Sequence, residues 1–262
     1  MPGVFVKTSE AVSTRGSKLL LPTVSVGNVP QLAVDLFINT LQLSRIGIID
    51  DSALLPLSGA PAFDHISSRP VPLEVYQTSD AKWTIVQQRS PPLPKHHRIF
   101  AQSMLEFIKA GQFDRVVLLA SSDAALRTDA LIDGPQIRSI SLNSRDEQLV
   151  ARLQALSLDE FGERPNKAKD LDMAARESSL KTALKQLHAA GIARPLLSMC
   201  QDADIPVLAL VSLVNEGDNI PDAIVLANAA NAALDIASNT HQWCPPQSWK
   251  WLVPSSAPAE LY

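Results

Sequence analysis

Residues 19–31 read LLLPTVSVGNVPQ, an apolar strand that runs directly into the start of a helix. Asn28 is a residue type that caps helix starts, and Pro30 is tolerated in a first helical turn because its missing N–H has no partner there. Gln31 follows Asn28 by three residues, which is the spacing of a capping box. The stretch therefore predicts a buried strand at Leu19–Val26 and a helix at Gln31–Leu43.

The same pattern occurs again at residues 206–222, which read PVLALVSLVNEGDNIPD. Asn219 and Asp222 have the spacing of a second capping box, and Pro221 lies in the first turn. The pattern predicts a second buried strand at Ile205–Val214 and a second helix at Ala223–Ile236. Two strand-to-helix units of one kind are typical of an α/β fold.

The elements between these units extend the same architecture. Arg115–Ala120 carries an unbroken apolar run, as expected for a strand covered by helices on both faces. Leu73–Tyr76 and Trp83–Gln88 alternate like the strands of a hairpin. Alternating strands and helices predict a single three-layer α/β domain, with a mostly parallel central sheet and helices on both faces. Further helices are predicted at about Arg98–Ala110, Gln148–Leu158, Leu180–Ala190 and Pro195–Cys200.

Three regions are expected along the chain. Residues 1–18 are polar and small, which indicates a flexible N-terminal arm or an edge strand. Residues 19–242 form the α/β domain, and residues 243–262 form a Trp/Pro-rich C-terminal segment. Within residues 19–242, the composition does not change strongly enough to indicate a second domain.

Composition and charge exclude several classes of function. The 262 residues are 46% hydrophobic and 19% charged, with a formal net charge of −4, so the chain lacks the basic excess that nucleic acid requires. No apolar run approaches the ~20 residues of a membrane-spanning helix. Two cysteines are too few for a disulfide framework, and no signal peptide begins the chain. We expect the cytoplasm, with the nucleus as a second compartment, and neither a nucleic-acid nor a membrane partner.

Motifs for cofactors and metals are missing. The chain has no glycine-rich phosphate loop, no G-x-S-x-G nucleophile elbow and no H-E-x-x-H. His241 and Cys244 have a spacing that two metal ligands share, but no second pair completes a tetrahedral site. The sequence therefore predicts no cofactor and no metal.

One enzymatic alternative stays open at the carboxyl ends of the strands, where ligands of α/β sheets bind. A rim of Gly27, Asn28, Glu216 and Asp218 would suit an enzyme of the phosphorylase or hydrolase type. Its two carboxylates would serve as an acid/base pair or hold a divalent cation. The structural interpretation is that Asp218 or Asn219 caps the next helix while Gly217 takes a positive φ. We favour structural turns, because no histidine, cation or third carboxylate is nearby in sequence; the turn residues are Gly27, Asn28, Pro30, Gly217, Asp218, Asn219 and Pro221.

The C-terminal segment concentrates aromatic residues. Trp243, Trp249 and Trp251 are three of the four tryptophans, and prolines are interspersed among them. Such a segment either docks its side chains into a partner or packs on its own domain as a strap. We favour the strap for the tryptophans and an exposed tail for Leu261 and Tyr262, which follow two further prolines.

Three stretches together resemble the proteasome assembly chaperone 2 family. They are LLPTVSVGNVPQLAVDL at residues 20–36, VNEGDNIPDA at 214–223 and PQSWKWL at 246–252. The resemblance implies a non-catalytic protein that forms a heterodimer with proteasome assembly chaperone 1. It also implies that the dimer promotes assembly of the α-ring of the 20S core particle.

The resemblance also assigns the partner-binding residues. Family tails end in a hydrophobic residue, a tyrosine and one further residue, and they enter pockets between neighbouring α-subunits. Leu261 and Tyr262 match the first two positions, and the carboxylate then lies on the tyrosine itself. The helices Gln31–Leu43 and Ala223–Ile236, rich in small and aliphatic residues, are the candidates for the dimer face.

Overall fold

The first quoted stretch supplies a central strand of an eight-stranded sheet in the computed structural model of the protein. The structure describes residues 3–127, 134–143, 146–161, 173–237 and 242–251. Within these residues the strands are β1 (Val4–Lys7), β2 (Lys18–Pro22), β3 (Ser44–Asp50), β4 (Leu73–Gln77), β5 (Trp83–Gln88), β6 (Arg115–Asp123), β7 (Ile137–Leu142) and β8 (Val207–Val214). The α-helices there are α1 (Val29–Thr40), α2 (His97–Gly111), α3 (Glu147–Ala155), α4 (Met173–Lys185), α5 (Ala193–Asp202) and α6 (Ile220–Leu234).

The sheet has a parallel centre and antiparallel edges. Its strand order is β1-β3-β4-β5-β2-β6-β8-β7. The neighbours β5, β2, β6 and β8 run parallel, whereas β4, β3 and β1 on one side and β7 on the other are joined antiparallel. The α/β fold class is confirmed, and β4 and β5 form the predicted hairpin.

Helices cover both faces of the sheet. On one face α2 packs against α5, and on the other α1 packs against α6. The side chains of β2 alternate between the two layers, since Leu19 and Leu21 join the α2/α5 core and Leu20 joins the α1/α6 core. Every residue of β8 is buried, as the parallel strands of a three-layer fold require.

Three details differ from the sequence-based expectation. Strand β2 ends at Pro22 and not at Val26, because the Ser25 hydroxyl instead of main chain accepts the N–H of Ser121 on β6, at 3.0 Å. Strand β7 was not predicted, since its IRSISL sequence has no strict alternation and becomes a strand through antiparallel pairing with β8. Of the two alternatives for residues 1–18, the edge strand is present as β1, paired with β3.

Most helices lie where they were expected, with shifted ends; helix α1 begins at Val29, two residues before the predicted start. Helix α4 runs over Met173–Lys185 and so contains only the first half of the predicted Leu180–Ala190. In the part of the chain that the structure describes, no helix is long and apolar enough to cross a membrane.

Candidate functional site

The two similar turns lie against each other at the carboxyl edge of the sheet. Strands β2 and β8 both pair with β6, so the segments that follow them emerge side by side. Gly27 has a φ of +67°, and a Cβ placed on it would lie 2.5 Å from Oδ1 of Asn219. Asn219 is buried under this contact. The structure thus joins the two sequence repeats into one unit.

The capping boxes predicted for both turns are wrong. Asn28 has a left-handed φ of 52°, whereas a capping residue is usually extended, and it makes no capping hydrogen bond. Asn219 instead donates to Asn215 O and to Asp222 Oδ2, both at 2.8 Å, and its Oδ1 accepts from Gly217 N. Asp218 Oδ1 accepts from Ile220 N at 3.3 Å, so this carboxylate takes the role expected of a cap.

Among the remaining turn residues, the prediction for the two prolines is confirmed and the prediction for Gly217 is wrong. Pro30 and Pro221 lie in the first turns of α1 and α6, as predicted. The positive φ predicted for Gly217 is wrong; of the two glycines in these turns it is Gly27 that has one, and the Asn219 side chain leaves no room there for a Cβ. The close approach to the other turn, which depends on the fold, is what requires glycine at Gly27.

The rim residues of the enzymatic alternative do not share one pocket. Glu216 lines a cleft of about 500 Å³ together with Ser25, His97 and Arg194. Asp218 lines a separate cleft of about 450 Å³ on the other side of the turn. Two carboxylates that face different clefts cannot exchange a proton with the same substrate or bind the same ion. The structure does not assemble this rim as an active site.

Main chain and hydroxyl groups close the crevice between β2 and β6. The segment from His188 to Gly191 crosses it, where Val26 N donates to Ala189 O at 3.1 Å and Ser122 Oγ donates to His188 O. A Cβ on Gly191 would lie 2.1 Å from Val24 O, so the two backbones are in direct contact. Ser25 Oγ lies 2.8 Å from Ser121 Oγ and accepts from Thr23 Oγ1 at 3.3 Å, which makes a cluster of hydroxyl groups. Sequence reasoning missed this cluster, whose signal was the Ser and Thr residues after β2 and at the end of β6.

Residues 242–251, called the strap from here on, pack on the outer side of α1 and α6. The Trp243 ring meets the Phe37 ring edge to face at 4.8 Å, and its Nε1 donates to Asn228 Oδ1 at 2.7 Å. Cys244 N donates to Thr40 Oγ1, and Asn39 Nδ2 donates to Cys244 O, both at 2.9 Å. The strap interpretation of Trp243 and Trp249 is confirmed; the side chain of Trp251 lies outside the described residues.

A buried charge network lies beneath the strap. Trp249 is 6% exposed, and its Nε1 donates to Asp35 Oδ2 at 3.3 Å. Arg89 pairs with Asp35 at 3.3 Å and with Glu74 at 2.8 Å, and Arg45 pairs with Glu74 at 2.9 Å. The negative charges of Asp35 and Glu74 are therefore neutralised by the positive charges of Arg89 and Arg45, and buried charges need such pairing.

The ionisation of this network follows from burial and pairing. Burial raises the pKa of the Asp35 carboxyl, although the neighbouring Arg89 and the bonds from Gln87 and Trp249 act in the opposite direction. Burial alone would lower the pKa of Arg89, but Asp35 and Glu74 hold it above its usual value. Arg89 thus stays charged, and it also lies 5.1 Å above the Phe63 ring.

The predicted partner-binding residues and dimer face have different outcomes. Leu261 and Tyr262 lie outside the described residues, as does His241 of the discarded metal pair. Helix α1 does not offer a dimer face, because its residues Val29, Pro30 and 33–39 are buried within the subunit by the sheet, α6 and the strap. On α6, Val225 is 45% exposed, so this helix stays a candidate.

Comparison with known proteins identifies close relatives over the whole chain. The PAC2 family profile matches residues 19–242. Proteasome assembly chaperone 2 of Danio rerio is 31% identical over 270 residues, which cover 99% of this chain and 100% of that protein. Proteasome assembly chaperone 2 of Nematostella vectensis is 35% identical over 244 residues, covering 90% of this chain and 97% of that protein.

Solved structures share the fold at lower sequence identity. Pyrococcus furiosus PbaA, an archaeal homolog of proteasome-assembly chaperone, superposes with a TM-score of 0.61 at 15% identity, covering 89% of this chain and 86% of that one. Pyrococcus furiosus PbaB, an archaeal proteasome activator, superposes with a TM-score of 0.60 at 13% identity and covers 89% of each chain. At this level of identity the likeness shows the architecture alone.

Proposed function

This chain belongs to the PAC2 family, and from that premise we propose that it acts as a proteasome assembly chaperone. The observation that carries the proposal is the near full-length similarity to proteasome assembly chaperone 2, which reaches both ends of the Danio rerio protein. The separation of Glu216 and Asp218 into different clefts supports a binding role over catalysis.

The finer part of the proposal concerns the partners. The chain pairs with proteasome assembly chaperone 1, and the heterodimer promotes assembly of the 20S α-ring. Leu261 and Tyr262 enter a pocket between α-subunits, where the ring of Tyr262 is buried and its carboxylate meets a cation. The strap supports this role, because its hydrogen bonds to the domain fix the point from which the chain continues toward its last residues.

The energetics favour binding through more than one contact. A buried tyrosine and a charge-assisted hydrogen bond contribute about 1–3 kcal/mol each. This is a modest affinity for a single tail. A second tail or a dimer surface increases it through effective concentration, which is why a heterodimer suits the task.

Co-purification with a tagged chain tests both parts of the proposal. Wild type is expected to recover the partner chaperone and α-subunits, and deletion of Leu261 and Tyr262 is expected to lower α-subunit recovery at least tenfold. The partner chaperone remains bound, and circular dichroism remains unchanged. Replacement of Ser255 and Ser256 by Ala in the same segment is the matched control, which should bind like wild type.

Each negative result of the co-purification excludes a different part of the proposal. A wild-type chain that recovers neither the partner nor α-subunits rules out the chaperone function. Normal α-subunit recovery by the deletion variant rules out only the role of the tail. For location, we propose the cytoplasm and the nucleus, and imaging of a chain tagged at its N-terminus would contradict this if the signal lay in a membrane-bound compartment.

A further inference from the structure

The strap is held on the domain by contacts near both of its ends. At its start, Trp243 packs on Phe37 of α1 and donates a hydrogen bond to Asn228 of α6, so one indole joins the two helices. At its end, Trp249 is buried and bonds to Asp35. A segment that merely led away from the domain would not need two tryptophan anchors, with five residues between them.

Next to Trp243, the strap is also held by its main chain. Cys244 uses both of its peptide groups, since its N–H donates to Thr40 Oγ1 and its C=O accepts from Asn39 Nδ2. Both partners belong to the last turn of α1, in which Asn39 is buried. Two main-chain bonds at one residue fix both the position and the direction of the strap.

We propose that Trp243, Cys244 and Trp249 are positioning residues for partner binding: the strap stays seated on α1 and α6 while residues 252–262 engage the α-subunits. The inference rests on the proposed function. A seated strap limits how far the tail extends from the domain. From a seated strap, eleven residues span at most about 36–40 Å, whereas release from residue 242 onward would give twenty-one residues and about 70–75 Å.

The shorter tether also raises the local concentration of the last residues. Effective concentration falls roughly as the −3/2 power of linker length, so a released strap would lower it about two- to threefold. Seating also removes alternative directions in which the tail would leave the domain. The strap thereby reduces the conformational freedom that binding would otherwise have to remove.

A disulfide lock tests whether the strap stays seated. Thr40→Cys brings a thiol near Cys244, because the main-chain nitrogen of that residue lies 2.9 Å from Thr40 Oγ1, and mass spectrometry of the non-reduced chain verifies that the disulfide has formed before binding is measured. Oxidised glutathione takes up the two electrons and two protons that leave the thiol pair, and Cys200 is buried and does not compete. The full chain with its partner is then titrated with α-subunits, oxidised against reduced, and Thr40→Cys with Cys244→Ser is the matched control that cannot lock.

The expected result is equal affinity of the oxidised and reduced forms, within twofold. A tenfold or larger loss on oxidation alone, reversed by reductant and absent from the control, would show that the strap must leave its seat, and would overturn the proposal. Hydrogen exchange gives an independent measurement: the Cys244 amide should stay protected when α-subunits bind, and loss of its protection overturns the proposal as well.

Lengthening the linker between the strap and the tail is the second test of the proposal. Ten Gly and Ser residues inserted between Trp251 and Leu252 should weaken α-subunit binding two- to threefold, and the same insertion between Gly59 and Ala60 should not. An unchanged affinity after the first insertion contradicts the limit on reach. Deletion of Leu261 and Tyr262 separates the two hypotheses. If the deletion weakens binding and the lock abolishes it, the strap proposal alone fails. If the deletion has no effect, the role of the tail and the strap proposal both fail, while the chaperone function itself is decided by co-purification of wild type.

Discussion

Gly27 and Asn219 touch across 192 residues of sequence, at the point where the two similar turns of the chain meet. The Asn219 side chain occupies the space that a Cβ on Gly27 would need, at 2.5 Å from Oδ1. Asn219 in turn holds its own loop through Asn215, Gly217 and Asp222. The contact therefore ties the loop after β2 to the loop after β8, and with them the starts of α1 and α6.

Gly27→Ala should destabilise the protein by about 2–4 kcal/mol. The left-handed φ of +67° costs an L-residue about 1–2 kcal/mol, and the new methyl group displaces Asn219. Urea unfolding followed by circular dichroism measures the change. Gly217→Ala is the matched control, because a Cβ there meets no atom within 4 Å, and it should change stability by less than about 0.5 kcal/mol. Equal effects of the two variants would contradict the close contact.

Trp249→Phe should lower the free energy of unfolding by about 1–3 kcal/mol. The substitution keeps an aromatic ring but removes the N–H that donates to buried Asp35. Trp243→Phe is the comparison, since its lost hydrogen bond to Asn228 is exposed to water and should cost less than about 1 kcal/mol. A larger loss for Trp243→Phe than for Trp249→Phe would show that the buried bond is not the main anchor.

Arg89→Met should be among the most damaging single substitutions, with a loss of about 3–5 kcal/mol. It leaves Asp35 without its cation and Glu74 with Arg45 alone, both inside the protein. Lys82→Met removes an exposed ion pair with Asp80 and should cost less than about 1 kcal/mol. Thermal unfolding of both variants provides the comparison, and similar melting temperatures would contradict the buried network.

The two cysteines should differ strongly in reactivity. Cys244 is exposed, whereas Cys200 is buried and its pKa is raised to about 11 by burial, so its thiol stays protonated at pH 8. A colorimetric thiol reagent should label one cysteine per native chain within minutes and two after denaturation. Cys244→Ser should abolish the fast phase. Two fast thiols in the native wild type would show that the α5 side of the core opens readily.

The central strands could be predicted because their patterns are local. The apolar runs of β2, β6 and β8 lie within single windows of the sequence, and so do the hairpin residues Leu73–Gln77 and Trp83–Gln88. Strand β7 could not be predicted in this way. Its apolar residues at 137, 140 and 142 follow no strict alternation, and pairing with β8 makes the segment a strand.

The candidate site shows the same division. The aromatic and proline pattern indicated a strap at Trp243 and Trp249, but the partners Asp35, Asn228 and Thr40 lie far away in the chain. Capping by Asn28 and Asn219 was a reasonable expectation from spacing. It failed because a cap depends on the backbone angles that the neighbouring turn imposes.

The amino-acid sequence by itself determined the central strands, the hairpin, the family and the two turns that resemble each other. Those features depend on local periodicity and on residue types within a few positions. The tertiary structure decided that the two turns would meet, that Glu216 and Asp218 would face different clefts, and that Trp249 would lie on Asp35. These outcomes depend on which strands become neighbours in the sheet, and β6 brings β2 and β8 together only after chain segments distant in sequence have packed.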